Sequence, residues 1–71
     1  MAFHQEIYDS LSHVSKLCLR RTKWRWGNPY IYRPRRHLIK RIAQQFGLSE
    51  TEARNRLFEI RKFILQYPQY F

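Results

Sequence analysis

Gly47, Leu48 and Ser49 separate two apolar stripes, each with the spacing of an α-helix. Upstream, Leu38, Ile39, Ile42, Ala43 and Phe46 share one side of a turn-by-turn repeat, with Lys40 and Gln44 opposite. Downstream, Ala53, Leu57, Ile60 and Ile64 form a tighter stripe. Glycine reaches the left-handed backbone that stops a helix. Ser49 and Glu52 have the Ser-x-x-Glu spacing of a capping box, in which the serine hydroxyl satisfies an orphan N–H of the next helix. The spacing therefore predicts a helix over residues 35–46, a tight turn, and a helix over residues 49–66 ending ahead of Pro68. Two apolar stripes joined by so short a turn must face each other, or neither is buried.

The N-terminal part repeats the helical period. Phe3, Ile7, Leu11, Val14 and Cys18 step by four, four, three and four, which predicts one amphipathic helix over residues 4–20. Cys18 falls on the stripe and is expected to be a small core residue. Arg20 and Arg21 sit in its last turn, where cations complement the helix dipole. Residues 22–34 break the pattern. Lys23-Trp24-Arg25-Trp26 alternates, Gly27-Asn28-Pro29 is turn chemistry, and Tyr30-Ile31-Tyr32-Arg33 alternates again. A short basic, aromatic β-hairpin or structured loop is expected there. Residues 67–71 read as a short aromatic tail. The fold class expected is mainly α, with three helices in a single small domain spanning residues 1–71.

Charge is distributed very unevenly. Residues 10–49 hold no acid but ten Lys or Arg, and the chain has a formal net charge of +9. Such an imbalance concerns partners rather than fold. It favours approach to a polyanion, and nucleic acid is the commonest one that a small basic protein meets. Several other classes lack support. No apolar run is long enough to cross a bilayer. No signal peptide is visible, and the lone Cys18 cannot form an internal disulfide, so an intracellular setting, cytoplasm or nucleoid, is expected. His4, His13 and His37 lack metal-ligand spacing, and the five acids form no catalytic pair. Neither an enzyme, a metal nor a cofactor is expected.

Residues 42–49, followed by Ala53, Arg56 and Leu57, resemble a DNA-binding helix-turn-helix. The closest resemblance is to the DNA-binding part of leucine-responsive (feast/famine) regulators. There an Ala, a Gly four residues on, then Leu or Val and Ser are followed by an apolar residue, Arg and an aliphatic residue. Ala43, Gly47, Leu48, Ser49, Ala53, Arg56 and Leu57 stand at those positions, and the likeness covers residues 38–61. The Trp- and Tyr-rich connection entering this unit is longer than that family's, so only the motif carries over.

The resemblance implies that the helix after Ser49 is a recognition helix. Its outward residues Thr51, Arg54, Asn55 and Lys62 would meet base edges, where Arg suits guanine and Asn suits adenine. Arg61 and Phe58 are expected beside them, and Glu52 is expected to pair with Arg56 one turn later. Glu50 is an acid where phosphates should approach. Arg20, Arg21, Lys23, Arg25, Arg33, Arg35, Arg36 and Lys40 would meet the phosphate backbone. Trp24, Trp26, Tyr30 and Tyr32 are candidates for stacking or partner contact. The favoured reading is duplex DNA binding, as a regulator or recombination accessory factor. An RNA- or ribosome-associated protein uses the same residue types. So does a protein-interaction factor that docks on an acidic partner within a larger assembly.

Overall fold

The structure, a computed structural model, describes residues 3–21 and 32–70. The protein is mainly helical. Its elements in chain order are α1 (Gln5–Ser10), α2 (His13–Arg20), α3 (Arg36–Phe46), α4 (Glu50–Gln66) and a single 3-10 turn, Pro68–Tyr70. No strand occurs among the described residues. The expected hairpin falls largely outside them, as do Lys23, Trp24, Arg25, Trp26 and Tyr30. Tyr32, Arg33 and Pro34 are described and belong to no regular element.

α4 is the element on which the others assemble. α3 and α2 both pack against it, and the 3-10 turn folds back on its end. Its fully buried Ala53, Leu57 and Ile60 meet Ile42 of α3 and Leu19 of α2, both also fully buried. Ile7, Tyr8 and Leu11 of the N-terminal segment complete the cluster. The connection between α3 and α4 follows from local chemistry. Gly47 adopts φ 66°, ψ 36°, and its N–H bonds to the Ala43 carbonyl, which closes α3. Leu48 is half-buried against the core, and the Ser49 hydroxyl accepts the Glu52 N–H at 3.1 Å, which opens α4.

The single helix expected over residues 4–20 is instead two. Leu11 turns extended at φ −76°, ψ 149°. Ser12 then acts as a helix cap, accepting the Ser15 N–H at 3.1 Å. Hydroxyl capping competes with continued helix, and here it wins. The break changes which residues face α4. Val14 is 68% exposed and Cys18 is exposed, so neither belongs to the core; Leu19 takes that place.

The N-terminal segment is held to α4 by side chains. His4 sits at φ 59°, an uncommon backbone region for a non-glycine residue. Its Nε2 hydrogen-bonds Glu59, and Arg56 donates to its Nδ1 at 3.0 Å. This arrangement uses the neutral Nε2–H tautomer, with Nδ1 as acceptor. Arg56 therefore reaches back to His4, rather than pairing with Glu52 as expected. Phe3 adds ring contacts to Tyr8 and Phe63 at 5.1 and 4.8 Å.

Candidate nucleic-acid interface

Two grooves flank Phe58 on the outer side of α4. The first, about 450 Å³, lies where the start of α3 approaches the start of α4. Arg33, Arg36 and Arg54 line it together with Glu50, over Ile39 and the Phe58 ring. The second, about 530 Å³, is lined by Asn55, Lys62, Glu59 and Tyr32. The residues expected to read bases are thus divided. Arg54 joins two of the arginines expected on phosphates, whereas Asn55 and Lys62 stand on the other side of Phe58. Thr51 is exposed on the first turn of α4 and lines neither groove. The division follows from helix geometry, because Arg54 and Asn55 are neighbours in sequence and point about 100° apart.

The expected phosphate-contacting set is exposed wherever it is described: Arg20, Arg21, Arg33, Arg35, Arg36 and Lys40. Arg20 also donates to the Tyr8 hydroxyl at 2.8 Å, which fixes the side chain without burying it. The start of α3 is electrostatically unusual. Arg35 is its N-cap residue and provides no side-chain cap, and the first turn holds no acid. Arg36 and His37 are exposed in that turn. A helix N-terminus carries the positive end of the dipole and favours anions, so cations there work against the field. α4 is the opposite, with Glu50 and Glu52 in its first turn. No described Lys or Arg lies within ion-pairing distance of Glu50, although three arginines line its groove.

Arg61 is not an outward residue. It is 4% exposed, and its guanidinium closes the C-terminal end of α2. Nη1 donates to the Leu19 carbonyl at 2.5 Å, with Cys18 at 3.5 Å, and Nη2 donates to the Arg21 carbonyl at 2.8 Å. These carbonyls stand at the negative end of a helix dipole, where a buried cation is favourably placed. The Tyr32 ring covers the guanidinium at 5.5 Å from the ring centre, and Phe58 meets Tyr32 edge-on at 6.1 Å. Tyr32 is therefore already engaged within the protein on its ring surface. Burial pushes its hydroxyl up to about 12, aided by nearby Cys18 and opposed by Arg61. Burial also lowers Arg61 from the ordinary arginine value, against the pull of Tyr32.

Sequence reasoning missed Arg61 because of its charge. The signal was present: Arg61 follows Leu57 by four residues and precedes Ile64 by three, which places it on the buried stripe. His4, half-buried and spanning Glu59 and Arg56, gave no such signal, since its partners lie more than fifty residues away. Among the described residues, no group of His, Cys, Asp and Glu is arranged to hold a metal ion. No described helix is long and apolar enough to cross a membrane. Compared with known proteins, the chain matches no family model, no curated protein sequence and no solved structure.

Proposed function

We propose that this chain binds double-stranded DNA as a regulator or recombination accessory factor. In this reading, α3, the Gly47 turn and α4 act as a helix-turn-helix, with the outer side of α4 in the major groove. The observation that carries the proposal is the convergence of Arg33, Arg36 and Arg54 in one groove beside the cation-rich, acid-free start of α3. An isolated protein gains nothing from placing cations at a positive helix end, whereas a phosphate there is attracted by both. The exposed Arg20, Arg21, Arg35 and Lys40 extend the positive surface beyond the groove. The motif likeness to leucine-responsive regulators supports α4 as the reading helix on separate grounds.

Phosphate contacts position a protein on DNA and base contacts specify the sequence. Arg33 and Arg36 lie just before and at the start of α3 and serve the first role. Arg54 and Asn55, both exposed on α4, serve the second. Replacing both with Ala should leave stability within ~0.5 kcal/mol, as at ordinary exposed sites. Each loss should weaken binding to a preferred duplex by about 1–3 kcal/mol, and binding to random DNA much less. A folded double variant that binds every duplex as the wild type does would remove the recognition-helix role. Duplex binding would then rest on the phosphate contacts alone.

A further inference from the structure

Glu50 stands out on this surface. It is exposed, it shares a groove with Arg33, Arg36 and Arg54, and no described cation pairs with it. A carboxylate there repels phosphate and lowers the non-specific affinity that the arginines provide. Its place in the first turn of α4 suits the helix dipole, but on a duplex it recovers affinity only where it finds a hydrogen-bond donor. In the major groove the exposed donors are the exocyclic amines of cytosine and adenine. Adenine presents its amine beside the N7 acceptor, whose lone pair opposes a carboxylate. Cytosine presents N4 without an adjacent acceptor, so a carboxylate discriminates between the two.

Arg54 lies one helical turn after Glu50 and lines the same groove. Residues four apart on a helix have Cβ atoms about 5–6 Å apart. The partner of cytosine is guanine, whose O6 and N7 accept the two-pronged guanidinium. Resting on the duplex-DNA reading above, we propose that Glu50 and Arg54 together read a C·G base pair, Glu50 accepting from cytosine N4 and Arg54 donating to guanine. Glu50 then acts as a specificity-determining residue, which turns a general phosphate-binding groove into a selective one. Arg33 and Arg36 hold the backbone alongside.

Selection from a pool of random-sequence duplexes tests this, with the wild type, Glu50→Ala, Glu50→Gln and Arg54→Ala compared at one salt concentration. Circular dichroism confirms that each variant is helical. The wild type should enrich a motif with a C·G pair at a fixed position. Glu50→Ala should lose that preference by about 5- to 150-fold, while its affinity for random duplex rises. Glu50→Gln, which keeps the shape and removes the charge, should shift the preference at that position toward adenine. Arg54→Ala should lose the guanine preference at the same pair. If Glu50→Ala and Glu50→Gln enrich the wild-type motif unchanged, the inference is overturned and DNA binding stands. The same holds if the wild type binds all duplexes equally. A wild type that binds no duplex overturns both the inference and the reading on which it rests.

Discussion

Truncation of Arg61 to Ala should remove a large share of the protein's stability. The guanidinium makes two close bonds to backbone carbonyls, at 2.5 and 2.8 Å, and a third contact at 3.5 Å that is too long to count for much. A hydrogen bond from a charged donor is worth about 1.5–3 kcal/mol net. The Tyr32 ring over the guanidinium adds about 0.5–2 kcal/mol. Water entering the vacated space would recover part of the loss at the helix end. The remaining cost is about 3–5 kcal/mol. At roughly 0.05–0.15 kcal/mol per residue, a chain of 71 residues has a total stability of about 4–11 kcal/mol. Arg61→Lys keeps the charge without the fork and should retain part of the stability. Urea unfolding followed by helical circular dichroism measures both variants. A cost below ~1 kcal/mol for Arg61→Ala, with an unchanged denaturant slope, would show that the closure of α2 does not depend on this residue.

Other outcomes follow from the turn and from the buried tyrosine. Gly47→Val should lower the melting temperature by more than Gly47→Asn. A Cβ at this position meets nothing within 4 Å, so the cost is that of the backbone at φ +66°, about 1–3 kcal/mol for a β-branched residue. Equal, unshifted midpoints would contradict the left-handed turn. Tyr32 ionises at pH 10.0 in an unfolded chain and at about 12 in the folded one, so the unfolded state loses its proton first. Its contribution to stability is complete below pH 10.0 and is lost as pH rises through about 12. Denaturation at a series of alkaline pH values should show this loss in the wild type and a smaller one in Tyr32→Phe.

What the sequence makes legible here is local chemistry. A glycine in the left-handed region and a serine hydroxyl on a helix N–H act within four residues, and Gly47 and Ser49 do so in the structure. Period alone misleads where a local competitor intervenes. The stripe of Phe3, Ile7 and Leu11 continues arithmetically to Val14 and Cys18, but the Ser12 cap resets the helix and buries Leu19 instead. Composition hides Arg61, because arginines are seldom placed in a core, and the carbonyls at the end of α2 and the Tyr32 ring, which help to make its burial acceptable, come from elsewhere in the chain. The exposure of the candidate cations is foreseeable from their positions on polar faces. Their convergence with Glu50 is not, since Arg33 and Arg36 meet Arg54 only after α3 has folded against α4.

In the proposed duplex-binding role, the exposed arginines neutralise phosphates. The most direct measurement is the affinity of the protein for duplex DNA over a series of salt concentrations, for the wild type and for a variant with Arg20, Arg21, Arg35 and Arg36 changed to Gln. All four residues are exposed, so the variant should keep its helical content. If Z phosphates are neutralised, log affinity should fall linearly with log salt at a slope of about −0.9Z, and the variant's slope should be shallower by up to ~3.6. Absence of binding at ~50 mM salt, or a slope that the four substitutions leave unchanged, would contradict the account.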